Sequence, residues 1–341
     1  MPTYRDAGVD LEAADRSVSR IGPVVQRTWK DNVIGDFGGF AAGITIPPSF
    51  TQPVVMLSTD GVGTKAEVAR RTGLIDGLGF DLVAMCADDL AAAGATPIAM
   101  TDYLAVGRLD DDLVARLVGS VASACEGADI ALLGGETAEH PGVMAPDQFD
   151  LAGTALGVVE RGQEIDGSAI RPGDSIVGIE SPNVRSNGFS LIRATILKDF
   201  EPDDPLPGTD GTVAEGLLSP SVVYSPAVVD LIATVRPRGL AHITGGGLPG
   251  NIARILPAGA SARIVPGAWP RPPVFEAIAA LVDTTEAELY RTFNMGIGFV
   301  AVTAPEDTEA AAARITAAGH RTWEIGRIVE GSGEVMLEGV S

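Results

Sequence analysis

The sequence is short of lysine, cysteine and histidine, and it has no long apolar run. Its 341 residues contain three lysines, two cysteines and three histidines. Cys86 and Cys125 match no metal-binding spacing and are too few for a disulfide framework. No segment approaches the roughly 18 uninterrupted apolar residues of a membrane helix, and the polar N-terminal stretch is unlike a secretory signal. We therefore expect a cytoplasmic protein that does not bind a membrane.

Basic charge is scarce as well, and the formal net charge is −21. Because binding to nucleic acid requires basic surface, we do not expect nucleic acid as a partner. Two explanations of the acidity stay open, a saline cytoplasm and a GC-rich genome that favours Arg, Ala and Asp. What the chain does have is apolar residues, at 45% of the total, which suffice for two hydrophobic cores.

Apolar periodicity predicts alternating strands and helices, hence an α/β or α+β protein of two domains. The polar stretch 161–174 contains Gly and Pro, so we place the domains at 1–165 and 166–341. The predicted strands are 53–59, 97–106, 129–136, 150–160 and 295–302, with shorter ones in DSIVGIES, LAHIT and TWEIGRIV. The predicted helices are 80–94, 111–128, 187–199 and 305–319, with another in GGGLPGNIARIL.

Four acids stand where acids are costly. Asp60 and Glu136 end strands at glycine-containing loops, and Asp102 interrupts an apolar strand. Asp89 lies on an apolar helical stripe, where a carboxylate is expensive unless it is paired or binds a cation. Such carboxylates suit Mg²⁺, which bridges protein to phosphate groups. The alternatives are that Asp89 is salt-bridged to arginine and that Asp102 faces solvent.

The stretch STDGVGTK, residues 58–65, follows an apolar strand. Gly61 and Gly63 would let backbone N–H groups approach phosphate oxygens, Asp60 would hold the ion, and Lys65 would add a positive charge. The spacing is not that of a Walker A loop. An ordinary strand-to-helix turn is the alternative.

Glycine-rich and polar turns recur in the second half. Gly245, Gly247 and Gly250 fit GxGxxG, but no acid follows about 20 residues later, as a dinucleotide site requires. We instead expect an anion cradle there, with His242 as either a proton donor or a structural residue. Further turns hold candidate ligand contacts or ordinary capping residues, namely Ser186, Asn187, Gly188, Arg291 and Asn294. A glycine-rich segment at 34–43 is either a cover for a ligand or a flexible loop.

Taken in order, these motifs resemble the phosphoribosylformylglycinamidine cyclo-ligase (AIR synthetase) family from about Tyr4 to about Ile328. The stretches that carry the resemblance are YRDAGVD, GDFGGF, STDGVGTK, GFDLVAMCADDL, GGETAEHPG, SNGFSLIR, HITGGG and YRTFNMGIG. DGVGTK and GGET alone would indicate a wider superfamily that includes selenophosphate synthetase, thiamine-monophosphate kinase and a hydrogenase maturation factor. A cysteine before Cys86, which selenophosphate synthetase needs, is missing.

The resemblance implies a mixed-sheet N-terminal domain that dimerises into a β-barrel and a C-terminal α/β domain. It implies ATP and Mg²⁺ at a cleft shared between the subunits of a homodimer. The implied metal ligands are Asp60, Asp89 and Glu136, and the implied nucleotide and phosphate contacts are Gly61, Gly63, Thr64, Lys65 and Gly135. Ser186, Asn187 and Gly245–Gly247 are expected around the substrate's ribose phosphate. Two departures from the family pattern are Asp88 beside Asp89 and Gly22 in place of a lysine.

The implied reaction is the ATP-dependent cyclisation of formylglycinamidine ribonucleotide (FGAM) to 5-aminoimidazole ribonucleotide (AIR), with release of ADP and phosphate. His242 is the candidate proton acceptor for ring closure. Two alternatives are another phosphoryl-transfer enzyme of the superfamily and a catalytically silent nucleotide-binding scaffold.

Overall fold

Two units make up the part of the chain that the computed structural model describes, residues 11–340. Unit 1 comprises the described residues up to Leu90 together with Thr96–Arg161. Unit 2 comprises Ala91–Ala95 and the described residues from Gly162 onward. The motif YRDAGVD lies outside the described residues.

Unit 1 contains a four-stranded sheet and four helices among its described residues. Its elements, in chain order, are α1 (Leu11–Gln26), β1 (Val33–Ile34), β2 (Gly43–Ile44), β3 (Pro53–Gly61), α2 (Lys65–Thr72), α3 (Leu78–Ala92), β4 (Thr96–Val106), α4 (Asp111–Gly127), β5 (Ala131–Glu139) and β6 (Phe149–Glu160). The order in the sheet is β3-β6-β4-β5, with β4 and β5 parallel and the other neighbours antiparallel. The short strands β1 and β2 pair with each other and flank the glycine-rich loop 35–42.

Helix α3 packs closely on one face of this sheet and against α4. A Cβ added at Gly153 would lie 2.4 Å from the Met100 methyl and 3.2 Å from Leu82 of α3. A Cβ at Gly79 would lie 2.1 Å from the backbone nitrogen of Val121 in α4. The close approach of α3 to both layers therefore depends on glycine, and it carries the acids of α3 against the sheet.

The opposite face of the sheet is exposed and partly apolar. Leu57 is 67% exposed, Val55 49% and Tyr103 41%. Thr59 and Thr154, opposite each other in β3 and β6, join their hydroxyls at 2.8 Å. Alternation along β3 thus places one set of side chains toward the helices and the other on an open apolar face.

Unit 2 contains a six-stranded sheet with helices between its strands. Its elements are β7 (Ser175–Glu180), α5 (Phe189–Ala194), α6 (Ile196–Asp199), α7 (Val213–Leu218), α8 (Ser225–Thr234), β8 (Gly239–His242), α9 (Gly247–Ala253), β9 (Ala260–Ile264), α10 (Pro273–Leu281), α11 (Glu286–Thr292), β10 (Ile297–Thr303), α12 (Thr308–Ala317), β11 (Thr322–Glu330) and β12 (Val335–Leu337), with single 3₁₀ turns at Pro266–Ala268 and Pro305–Asp307. The order is β12-β9-β11-β7-β10-β8, antiparallel except for β12 with β9.

Strands β7 and β10 are almost wholly buried, as expected for central strands covered on both faces. Ile179 and Phe299 from these strands pack with Leu231 of α8 and Ile315 of α12 in one core cluster. This core fixes the strand ends from which the loops of unit 2 emerge.

Several sequence-based predictions differ from the observed elements, and β5 continues to Glu139, so Glu136 does not end its strand as predicted. The helix predicted at 187–199 is two helices, because Thr195 leaves helical geometry at φ −122° and ψ −84°. The helix predicted at 305–319 begins with a 3₁₀ turn, and α12 ends at Ala317. The strand predicted at 53–59 continues to Gly61, so Asp60 belongs to the sheet. No described helix is both long and apolar enough to cross a membrane.

Candidate functional site

The turn after β3 brings backbone groups and a carboxylate together. Oδ1 of Asp60 accepts a hydrogen bond from the backbone N–H of Gly61, with an N···O distance of 2.7 Å. Gly63 has φ +63°, and the space where its Cβ would stand is open to 4 Å. Thr64 then leads into α2, which begins at Lys65. Because the backbone is uncovered at Gly63, a ligand can approach this turn closely.

Lys65 does not project into that turn. Its ammonium lies 2.7 Å from Oδ2 and 2.9 Å from Oδ1 of Asp81 in α3, and both side chains are fully buried. The charge predicted to contact phosphate is thus already paired with a carboxylate. This geometry favours a structural role for Lys65, which joins the start of α2 to α3.

Asp60 of β3 and Asp89 of α3 both act on Cys86, whose side chain reaches the sheet from α3. Burial, together with the smaller effects of the carboxylates of Asp60 and Asp89, raises the pKa of the Cys86 thiol to about 12. The Cys86 Sγ donates to the carbonyl of Gly153, which pairs with Asp60 in the sheet. Two carboxylates, both half-buried, therefore act on one thiol, and Asp88 beside them is fully buried.

Asp102 instead points toward a cavity of about 620 Å³ in unit 1. The cavity lies between α1, the loop 35–42 and β5, and its lining includes Asp36, Gly135 and Glu136. Asp102 is 9% exposed, and burial raises the pKa of its carboxyl to about 7. The carboxylate of Asp102 lies over Gly135 of the neighbouring strand β5. Strand β6 is on the other side of β4 and separates Asp102 from Asp60.

The four predicted metal ligands do not converge on one point. Glu136 is exposed and lies opposite Tyr103 in the register of β4 and β5, so its side chain is on the face of the sheet opposite to that of Asp102. Within residues 11–340, no three side chains of His, Cys, Asp or Glu are grouped closely enough to hold a metal ion. Asp60 and Asp89 both act on Cys86, whereas Asp102 and Glu136 both border the cavity in unit 1.

Three loops of unit 2 converge at the ends of β7, β8 and β10. A Cβ on Gly245 would lie 3.5 Å from Oδ1 of Asn187, so these two loops are adjacent. A Cβ on Gly247 would lie 1.9 Å from the carbonyl oxygen of Tyr290, and one on Gly188 would lie 2.2 Å from the Phe293 ring. We call segments 183–188, 242–247 and 290–296 the loop cluster.

The loop cluster contains polar groups of two kinds. The hydroxyl of Ser186 is buried and has no hydrogen-bond partner among the described residues, as expected where a ligand supplies one. Asn294 is buried and donates to the carbonyl of Asn183 at 2.9 Å, so it holds the loops together. Arg291 is exposed at the end of α11. Gly246, with φ +93°, precedes α9.

His242 ends β8 within this cluster and is 4% exposed. Its Nε2 lies 2.7 Å from Nη2 of Arg185. Since the guanidinium is always protonated, Nε2 must be the acceptor in this bond. The basic nitrogen of the ring is therefore engaged, and this geometry does not favour His242 as the general base.

Arg185 and Tyr224 were missed by sequence reasoning. Arg185 is fully buried, and its guanidinium lies 4.9 Å from the centre of the Tyr224 ring. An arginine directly before the turn of Ser186 and Asn187 was the available signal, but its partners are distant in sequence.

Family profiles match both units of the chain. The AIR synthase related protein N-terminal domain matches residues 42–159, and the C-terminal domain of the same name matches residues 171–338. The phosphoribosylformylglycinamidine cyclo-ligase of Myxococcus xanthus (strain DK1622) is 44% identical over 335 residues, which cover 97% of each chain. The protein of the same name from Sorangium cellulosum (strain So ce56) is 44% identical over 340 residues, 98% of this chain and 97% of that one.

Solved structures share the same fold at lower identity. Thiamine-monophosphate kinase from Stenotrophomonas maltophilia K279a aligns with a TM-score of 0.67 and 20% identity, covering 94% of this chain and 96% of the kinase. The hydrogenase maturation protein HypE in complex with ATP aligns with a TM-score of 0.67 and 19% identity, covering 94% and 90%. At such identities the likeness establishes the fold alone.

Proposed function

Because the chain belongs to the AIR synthase related family and its curated relatives are phosphoribosylformylglycinamidine cyclo-ligases, we propose that it catalyses the ATP-dependent ring closure of FGAM to AIR. The observation that carries the proposal is the 44% identity across nearly the whole of both chains. Kinases and maturation proteins of the same fold are only about half as similar, at 19–20% identity. The enzyme is thus a ligase of purine biosynthesis that forms a C–N bond.

The reaction needs activation of a poor leaving group. Transfer of the γ-phosphoryl group of ATP to the formyl oxygen gives ADP and an iminophosphate-like intermediate. The amidine nitrogen then attacks the activated carbon, a C–N bond forms, and the C–O bond breaks with loss of inorganic phosphate and a proton. The phosphoryl step depends on positioning and on neutralising charge.

We place the ATP phosphates at the turn 60–64. The uncovered backbone at Gly63 supports this assignment, as does the shared fold of ATP-bound HypE. Mg²⁺ is bound in such sites by one or two carboxylates together with phosphates and water, which fits the pair Asp60 and Asp89. When bound, the ion would neutralise phosphate charge. Glu136 stays a prediction as a further ligand, and we do not carry Asp102 into this set.

We place the ribose phosphate of the substrate at the loop cluster of unit 2. The unpartnered hydroxyl of Ser186 supports this, because a phosphate oxygen would satisfy it. Asn187 follows Ser186 in the same segment, and Gly245 lies beside Asn187. The side-chain amide of Asn187 and the backbone N–H groups of Gly245–Gly247 supply further hydrogen-bond donors. The general base is left unassigned, since Nε2 of His242 already accepts a hydrogen bond.

We also propose a cytoplasmic homodimer formed through the open face of the unit 1 sheet. Leu57 and Val55 of β3 and Tyr103 of β4 expose apolar surface on that face. Burying such surface against a second copy is favourable at about 25 cal/mol for each Å². A barrel closed by two such sheets would remove the exposed face of both.

The proposal is tested by measuring ADP release with FGAM present or withheld and with magnesium present or chelated. We expect ADP and AIR to appear in equal amounts, and only with substrate and magnesium. ATP binding without substrate-dependent turnover would support the nucleotide-binding scaffold instead. ADP release with thiamine monophosphate, but none with FGAM, would indicate a sister enzyme of the same fold.

A further inference from the structure

We infer that Arg185 is a positioning residue of the phosphate site: it holds His242 in a single tautomer and joins segment 183–188 to segment 242–247. This inference rests on the proposed function, because it concerns how the substrate's phosphate monoester is held. Arg185 itself is fully buried, so its role is to position other residues and not to contact a ligand.

The side chain of Arg185 is fixed from three directions. Its Nη2 donates to Nε2 of His242 at 2.7 Å, and its Nη1 donates to the carbonyl of Val222 at 2.7 Å. The guanidinium also lies 4.9 Å from the centre of the Tyr224 ring, whose hydroxyl donates to the carbonyl of Glu180 at 2.5 Å. A planar, fully buried guanidinium with these contacts has little freedom to move.

The bond to His242 determines where the imidazole carries its proton. Because a guanidinium only donates, Nε2 accepts, and the neutral ring carries its hydrogen on Nδ1. The ring orientation is thereby set, and it is stacked 6.0 Å from the Phe299 ring. His242 in turn is the last residue of β8, three positions before Gly245.

The backbone at Arg185 gives an independent indication. Its φ of +62° is in the left-handed region, which a residue with a Cβ adopts only when its surroundings impose it. Ser186, with the unpartnered hydroxyl, follows directly. Met295, in the third segment of the loop cluster, also has a positive φ, +51°. The contacts of the Arg185 side chain thus hold the strained backbone directly before Ser186 in segment 183–188.

The test compares Arg185→Met and Arg185→Lys with Arg238→Met. Arg185→Met removes every donor but keeps a long apolar chain, and Arg185→Lys keeps a positive charge on a single donor nitrogen. Arg238 is the control, because it is a partly buried arginine of the same unit that pairs with Asp174 and lies outside the loop cluster. The readouts are the KM for FGAM, the KM for ATP, the dissociation constant of ribose 5-phosphate and the thermal midpoint.

We expect Arg185→Met to raise the FGAM KM and the ribose 5-phosphate dissociation constant by about tenfold or more, while the ATP KM changes less than about twofold. Arg185→Lys should recover part of the loss. Arg238→Met should lower the thermal midpoint without this selective loss. The inference is overturned if Arg185→Met and Arg185→Lys bind FGAM and ribose 5-phosphate as the wild type does. It is also overturned if Arg238→Met weakens the binding of these two ligands equally. If Arg185→Met does not fold, the same comparison is made with Arg185→Lys.

The tautomer provides a second readout that general destabilisation would not change. The chain has three histidines, so ¹⁵N-histidine labelling gives few signals, assigned with His140→Gln and His320→Gln. We expect His242 to be the Nδ1–H tautomer in the wild type and to lose this preference in Arg185→Met. An Nε2–H tautomer in the wild type would contradict the inference. Because ribose 5-phosphate binding and the tautomer need no turnover, they still test Arg185 if FGAM proves not to be the substrate.

Discussion

The carboxylate of Asp102 lies directly over Gly135 in the neighbouring strand, so closely that a Cβ there would come within 2.1 Å of its Oδ1. Glycine at position 135 thus makes room for a buried acid. Burial raises the pKa of that acid from 3.8 to about 7. An acid whose pKa is raised on folding keeps its proton in the folded chain and loses it in the unfolded chain over this range.

The contribution of Asp102 to the stability of the protein should therefore fall as the pH rises through the window from 3.8 to about 7. Asp102→Asn removes this dependence, so the variant should gain on the wild type by up to about 1.4 kcal/mol for each pH unit in the window. Urea denaturation in chelator, between about pH 4.5 and about pH 8, measures the difference. A difference that stays constant with pH would contradict the assignment.

Asp76→Asn is the control, because the contribution of Asp76 to stability should change with pH in the opposite direction. The Arg116 guanidinium holds the pKa of Asp76 below its usual range. The stabilisation that the ionised Asp76 contributes is present above the ordinary pKa of an aspartate. It is lost as the pH falls through the lowered pKa of Asp76 in the folded protein. Asp76→Asn should thus be less stable than the wild type near neutrality, and the gap should narrow in acid.

The buried pair of Lys65 and Asp81 should behave as a unit. Lys65→Met or Asp81→Leu alone leaves one buried charge without its partner, which costs about 3–5 kcal/mol. The double variant removes both charges, so most of that loss should be recovered in urea denaturation. We also expect the double variant to keep an ATP KM within about threefold of the wild type. A rise of about tenfold or more would instead restore the phosphate contact predicted for Lys65 from sequence.

Asp60 and Asp89 should act together in magnesium dependence. Asp60→Asn and Asp89→Asn should each raise the magnesium concentration needed for half-maximal ADP release, by about tenfold. The double variant should lose less than the product of the two, because both carboxylates serve one ion. Asp112→Asn, at an exposed position in α4, is the control and should behave as the wild type. Fully additive losses would indicate that the two acids bind different ions.

Leu57→Glu tests the proposed homodimer. A charge in the middle of a buried apolar face is costly, so the variant should sediment as a monomer while its circular dichroism is unchanged. Val143→Glu is the matched control, since Val143 is 82% exposed but lies in a loop away from the sheet. A Leu57→Glu variant that keeps the mass of the wild type would exclude this face as the interface.

Strongly periodic elements were predictable from the sequence. The strands predicted at 97–106 and 150–160 differ from β4 and β6 by one residue at their first position, and the helix predicted at 111–128 ends one residue earlier. These segments bury continuous or alternating apolar residues, and burial decides their structure. The break at Thr195 was not predictable, because it depends on tertiary packing and not on local propensity.

The site was only partly predictable for the same reason. Acids that interrupt apolar patterns drew attention to Asp60 and Asp89, and in the structure both raise the pKa of one thiol, that of Cys86. The same pattern at Asp102 suggested metal binding or exposure, yet the residue is buried over a glycine of the adjacent strand. Arg185 gave no such signal, because its partner His242 lies 57 residues away. Local sequence shows where a polar side chain would be costly to bury, but only the fold determines which residue becomes its partner.

The scarcity of lysine gives the buried pair a practical consequence. Lys30 is 61% exposed and Lys198 is exposed, while Lys65 is fully buried. Amine-reactive reagents should thus modify the side chains of Lys30 and Lys198 in the native protein. Lys65 becomes reactive only when the start of α2 separates from α3, so its labelling rate in a mass spectrum records how often unit 1 opens.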